Sequence, residues 1–200
     1  MSALLALDVA LLLPPDARER AIRLSQALGD PDAAAARGGQ RLRLDANHLP
    51  HVTLTQQFVR ADETAAVFEH IDEALRGQPP LTVRVTGGAK GGSSVWMAIE
   101  STAEIAALHE RLMAALRGLE RPAGTAAAFY DGDARVGDVA WVTGYRLKSS
   151  LGAYTPHVTL GQADDPPAIQ PFVFDATIVA ACHLGRFCSC RAVLRSWELV

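Results

Sequence analysis

The sequence predicts an α+β fold with largely antiparallel sheets. Three observations carry that prediction. Helical stretches are interspersed with strands rather than gathered at one end. Hairpins recur where glycine pairs separate β-rich runs. One six-residue phrase occurs twice, as HVTLTQ at His51–Gln56 and as HVTLGQ at His157–Gln162, once in each half of the 200-residue chain. The duplication suggests one site assembled from two similar halves.

The elements follow in order. Ala3–Leu13 is an apolar run that reads as a buried strand, stopped by Pro14-Pro15. A helix follows to about Leu28, with Ile22, Leu24 and Leu28 toward the core. Gly29-Asp30-Pro31 ends it, Asp32–Gly39 reads as a loop, and Gln40–Leu44 as a short strand. His51–Val59 is a strand rich in β-branched residues. Asp62–Arg76 is helical, with Val67, Ile71 and Leu75 four apart. Leu81–Thr86 and Ser94–Glu100 read as strands, with Gly87-Gly88 and Gly91-Gly92 as turn positions between them. Thr102–Leu119 is the third helix, striped by Ile105, Leu108, Leu112, Ala115 and Leu116 and capped by Thr102. Arg121–Asp138 is irregular, and Val139–Ser149 leans to helix. His157–Gln162 is a strand, and Phe172–Leu184 and Cys190–Leu199 pair around Gly185-Arg186.

Composition narrows the function classes. Hydrophobic residues make up 49% of the chain, enough for a real core at this length. The net charge is −3, which argues against a protein held to nucleic acid by a general basic surface. The apolar opening is too short to span a bilayer and contains Asp8, and it lacks the pattern of a signal peptide. The expectation is a cytoplasmic protein, monomeric and without a membrane partner. Three cysteines near the C-terminus, Cys182, Cys188 and Cys190, do not form a disulfide framework by number or context.

The repeated phrase is where chemistry concentrates. In a strand, alternate side chains share a face. His51, Thr53 and Thr55 then point one way, with Val52 and Leu54 opposite; His157, Thr159 and Gly161 repeat the pattern, with Val158 and Leu160 opposite. On this parity Gln56 and Gln162 fall on the core-pointing side, where a structural hydrogen bond is favoured over substrate contact. A lone H-x-T on a strand is usually structural. Two copies with the same core and polar positions, each preceded by proline (Pro50 and Pro156), are hard to obtain from packing alone. Two imidazoles facing one cleft can divide acid and base roles near neutral pH, and threonine hydroxyls can hold non-bridging phosphate oxygens. This division of labour needs no metal and no cofactor.

Leu49-Pro50-His51-Val52-Thr53-Leu54 and Thr155-Pro156-His157-Val158-Thr159-Leu160 resemble the paired motifs of the 2H phosphoesterase superfamily, and the opening LALDVALLLPP is similar to its bacterial 2′-5′ RNA ligase branch. The resemblance implies two pseudo-symmetric lobes forming a central cleft with helices outside, so that residues 1–200 make one bilobal domain with one H-x-T motif per lobe. It implies a metal-independent hydrolase of 2′,3′-cyclic phosphates or related phosphodiesters of nucleotides or RNA ends. His51 and His157 would be the acid/base pair, with Thr53 and Thr159 on the phosphate. Which histidine is the base stays open. Ligation of 2′-5′ ends on the same site and a non-catalytic RNA-end or phosphate-binding module are the alternatives.

Other residues carry weaker signals. Lys148 could attract phosphate and Tyr154 could stack on a base; a solvated lysine and a packed tyrosine are the competing readings. The irregular stretch from Arg121 to Tyr154 could form a flap over the site. His48 with His51, and Cys182-His183 with Cys188 and Cys190, suggest metal sets, but adjacent or odd-spaced residues on a strand point to opposite faces, so inert buried thiols are the better reading. His70 and His109 sit on predicted helices without a supporting pattern. The glycines around Lys90 do not make a phosphate-binding loop.

Overall fold

A computed structural model describes residues 2–29 and 41–200. Eight strands and four α-helices are found among them: β1 Leu4–Leu12, α1 Pro15–Gln26, β2 His51–Arg60, α2 Thr64–Leu75, β3 Leu81–Gly91, β4 Ser94–Ile99, α3 Ala103–Ala115, α4 Val136–Lys148, β5 His157–Gln162, β6 Phe172–Ala176, β7 Ile178–Leu184 and β8 Cys190–Glu198. They form two four-stranded sheets, ordered β2-β1-β7-β8 and β5-β4-β3-β6, in which every pairing is antiparallel. The fold class is the α+β arrangement that the sequence predicts.

The two sheets are built alike. Each places its copy of the repeated phrase on an edge strand, β2 or β5, beside the strand that precedes it in the chain, with α1 between in the first sheet and α3 and α4 between in the second. The helices cross over: α1 packs against β5, and α3 against β2. One continuous core joins both sheets, including Leu7, Val9, Val83, Met97, Val158 and Leu160. The other face of β1 carries small residues, Ala6 and Ala10, and the facing positions of β7 and β8 are Ala180, Cys182 and Cys190. Ala6 is covered there by Phe58, Phe129 and Val142, and Ala10 packs with Ala180, Cys182 and Cys190.

Several elements differ from the sequence expectation. The Gln40–Leu44 strand is absent over residues 41–44. Those residues have no regular secondary structure and are held by Leu44 N–H on Ser25 Oγ (2.9 Å) and Leu42 N–H on Gln162 Oε1 (3.0 Å). Gln40, Asp30-Pro31 and the loop at 32–39 lie outside the described residues. The buried stripe of α1 runs through Ala17, Ala21 and Ser25 to Leu28, while Ile22 and Leu24 are only half-buried. Close packing of this helix on β5 suits small residues rather than branched ones. Gly87-Gly88 continues β3 through a register shift, so the turn lies at Gly92-Ser93 alone. Phe172–Leu184 divides at Thr177: β6 joins one sheet and β7 the other, without a proline or glycine to announce the crossing. The lean to helix at 139–149 matches α4, which begins three residues earlier because Asp138 closes a capping box onto the Arg135 backbone.

Candidate active site

Both copies of the repeated phrase share one irregularity. Opposite Val9 and Ala10, β2 presents Thr55 and Thr53, so Leu54 is an extra residue. Opposite Val95 and Trp96, β5 presents Gly161 and Thr159, so Leu160 is extra in the same place. A bulge of this kind reverses the side-chain alternation beyond it. Gln56 and Gln162 therefore return to the face of His51, Thr53, His157 and Thr159, and Thr55 turns into the interior. This corrects the parity expectation for both glutamines. The bulged carbonyls are capped by the helices beneath: Ser25 Oγ of α1 donates to Leu160 O (2.6 Å), and His109 Nδ1 of α3 donates to Leu54 O (2.5 Å).

The six residues line one cavity of about 710 Å³. Its walls also carry Trp96, Trp141, Tyr145, Tyr154 and Phe187, with Arg135 as the only Lys or Arg among the described lining residues. The histidines are oriented identically. Each Nδ1 lies against the carbonyl two residues upstream, His51 on Leu49 O at 2.7 Å and His157 on Thr155 O at 2.8 Å. A carbonyl can only accept, so each Nδ1 carries a proton and each Nε2 is the nitrogen that these carbonyls leave unengaged.

Their surroundings are unequal. His51 Nε2 lies 3.5 Å from Oδ2 of the fully buried Asp8. The same oxygen accepts from Thr53 Oγ1 (2.8 Å) and Gln56 Nε2 (2.6 Å). Burial works against a charge on His51, but the Asp8 carboxylate outweighs it and, with the Leu49 carbonyl, pushes the imidazole up to about 9. His157 is held below the ordinary imidazole value, by burial first and then by the nearby His51. It sits beside the Trp96 ring, 5.3 Å between centroids.

Other candidate residues are sorted by the same geometry. Tyr154 lines the cavity, but one face is stacked on His109 (centroids 3.9 Å apart, planes 2° apart), and its hydroxyl donates to Thr53 O at 2.8 Å. His109 accepts from Leu151 N–H on Nε2 (2.8 Å) while donating from Nδ1, so it is a neutral strut, and burial holds it below its usual value. Lys148 is exposed at the end of α4 and is not brought to the cavity. His48 pairs locally with Asp45 at 2.9 Å. Asp8, His51 and Cys190 offer atoms within 4.8 Å of one another. The Asp8 oxygen is already shared by two donors and an imidazole, and burial pushes the Cys190 thiol well up, so this is an ion pair beside an inert thiol.

Sequence reasoning missed Asp8, Arg135, Trp141 and Tyr145. Asp8 had a signal: it is the one charge within the apolar strand Leu4–Leu12. Trp141 had none, since its place depends on the path of residues 121–135. The structure puts α4 along β2, where Trp141 Nε1 donates to Gln56 Oε1 at 2.9 Å. The start of α4 is fixed to the β7–β8 turn: Asp138 accepts from Phe187 N–H (3.1 Å), and the Arg135 guanidinium stacks over the Phe187 ring. Phe187 takes a left-handed φ of 63° there.

Solved structures share this architecture. A Thermus thermophilus protein, TT0787, superposes with a TM-score of 0.62 at 17% identity, covering 98% of each chain. Escherichia coli LigT complexed with 3′-AMP gives 0.62 at 20% identity, covering 98% of this chain and 99% of that one. LigT complexed with NADP+ gives 0.60 at 18%, covering 98% of each. No curated protein sequence matches. A sequence model described as the 2′-5′ RNA ligase superfamily matches residues 14–183. With that match spanning both motifs and the fold, the chain belongs to the 2′-5′ RNA ligase superfamily of 2H phosphoesterases.

Proposed function

We propose that the protein is a metal-independent phosphodiesterase that opens 2′,3′-cyclic phosphates of nucleotides or RNA ends by two-histidine acid/base catalysis. The carrying observation is that His51 and His157 line one cavity and are anchored alike, each through Nδ1 on the carbonyl two residues upstream. One imidazole takes a proton from water as the water oxygen bonds to phosphorus. The other gives a proton to the ribose oxygen as its bond to phosphorus breaks. One proton is taken and one given, so the enzyme needs only a proton exchange between the rings, through solvent, to return to its starting state. Thr53 and Thr159 frame the phosphate position between the rings. The cavity volume suits a single nucleotide, and its aromatic lining suits a base and ribose. E. coli LigT has been solved with 3′-AMP and with phosphate, ligands of the same chemistry.

The test is turnover of a nucleoside 2′,3′-cyclic phosphate with chelator present. His51→Ala and His157→Ala should each lower kcat by roughly 10²- to 10⁴-fold. Turnover that survives both substitutions removes the mechanism. The reverse reaction, joining of 2′-5′ ends, uses the same groups; supplying two RNA ends and analysing products separates the two directions.

A further inference from the structure

The two halves match residue for residue across their strand pairs. His51 lies opposite Leu12 and His157 opposite Ala98; Thr53 lies opposite Ala10 and Thr159 opposite Trp96; Gln56 lies opposite Asp8 and Gln162 opposite Ser94. At the last pair one half carries a carboxylate and the other a hydroxyl. Asp8 is fully buried, and its Oδ1 has no hydrogen-bond partner among the described residues. Its Oδ2 collects Thr53, Gln56 and His51. A hydroxyl has one proton, and Thr53 gives it to Asp8. No hydrogen bond occupies the Thr159 hydroxyl among the described residues, and it lines the cavity.

We infer that Asp8 is a positioning residue that makes the two matched halves unequal: it holds His51 as the imidazolium that protonates the leaving oxygen, and it engages the Thr53 proton, so that Thr159 donates to the phosphoryl oxygen and His157 takes the proton of water. The inference rests on the phosphodiesterase reading above. In the step itself, the water O–H proton passes to His157 Nε2 while the water oxygen bonds to phosphorus. The phosphorus–ribose oxygen bond breaks, and that oxygen takes the proton from His51 Nε2. Asp8 keeps its charge throughout and touches no substrate atom.

The charged and titratable groups around His51 agree with this. Asp8 faces it from β1, Cys182 from β7 and Cys190 from β8, and His157 faces it from β5. Tyr145 of α4 and Tyr154 lie within the influence of Asp8, and burial raises both, so they stay neutral. The two thiols are buried, and that of Cys190 is held well above its usual range. Asp8 is thus the only carboxylate among these groups. The directions of the two imidazoles, His51 up to about 9 and His157 down, follow from its placement on one side only.

The experiment pairs two measurements. In the unsubstituted protein, the histidine side-chain nitrogens are titrated by NMR, with His51→Gln and His157→Gln assigning the signals. His51 should titrate near 9 and His157 below 6.5. In Asp8→Asn, the falling limb of the kcat/KM profile should move from about 9 toward 6.5, so that the loss at pH 8.5 exceeds the loss at pH 6 by roughly 50-fold. Thr159→Val should cost kcat/KM roughly 10-fold or more beyond Thr53→Val. His51 titrating near 6.5, or a folded Asp8→Asn with an unmoved falling limb, overturns the inference. If Asp8→Asn does not fold, the titration of the unsubstituted protein decides alone. A chain whose imidazoles titrate as stated but which turns over no cyclic phosphate loses the function reading and keeps the Asp8 assignment of charge.

Discussion

At the scale of single residues, the two site histidines should tie stability to pH in opposite directions. His51 is raised from 6.5 to about 9 on folding. Its contribution is complete below 6.5, where the unfolded ring is also protonated, and it is lost as pH climbs through about 9. At 1.36 kcal/mol per unit the shift corresponds to about 3 kcal/mol. His157 is lowered. Its neutral, half-buried ring carries no ionisation penalty above 6.5, and stability is lost as pH falls below that value. Thermal melts therefore have a definite expected outcome. His51→Gln should depress the midpoint more at about pH 6 than at about pH 10, and His157→Gln should gain on the parent as pH falls toward 5. A constant offset at every pH would mean that neither ring's charge is coupled to folding. The four motif side chains were legible in the sequence because repetition marked them. Asp8, which makes them differ, was visible only as a charge out of place in an apolar strand. Nothing in one strand tells which residue of a neighbouring strand stands beside it.

At the scale of elements, the repeated phrase encodes a bulge as well as four polar groups. Period-two reasoning extends a regular strand, so it sends Gln56 and Gln162 inward. The extra residues Leu54 and Leu160 send them outward. The bulges are made differently. In β5 the position is Gly161 at φ +145°, and a Cβ there would lie 2.8 Å from Leu42 O. In β2 the position is Thr55, which needs no positive φ. Gly161→Ala should therefore lose about 2 kcal/mol or more, from backbone strain and collision with a carbonyl. Ser25→Ala should lose about 1–3 kcal/mol, because one hydroxyl serves both Leu160 O and Leu44 N–H. Urea unfolding checks both as a lower midpoint at unchanged slope. Loss at neither position would mean that the bulge is not held from α1. Residues 139–149 read as either helix or strand with a lean to helix, whereas most strands and the first three helices could be placed from periodicity, glycine and proline. The division at Thr177 could not, because a strand that changes sheet keeps the same local composition on both sides of the change.

At the scale of the whole molecule, charge sets what the cleft can hold. The chain carries a net charge of −3, and Arg135 is the only Lys or Arg on the described cavity wall. That arginine is already engaged: it pairs with Asp138 at 2.5 Å and stacks over Phe187. Asp8 places a further negative charge beneath His51. A long RNA bound along a basic track releases many counterions, and its affinity falls steeply with salt, by about 0.7 log units per log unit of salt for each phosphate neutralised on a single strand. Among the described residues, the cavity wall offers at most one such contact. On the proposed function, affinity should come from the reacting phosphate and from the aromatic wall of Trp96, Trp141 and Tyr145, an area suited to stacking a single base. An RNA oligonucleotide ending in a 2′,3′-cyclic phosphate should therefore show kcat/KM within about tenfold of the mononucleotide, with a salt slope near −1 or shallower. Measuring both substrates across a salt series checks this. A slope of about −3 or steeper, or a preference for the oligonucleotide of several hundred-fold, would require a basic track beyond the cavity and would move the substrate from the nucleotide end to the RNA body.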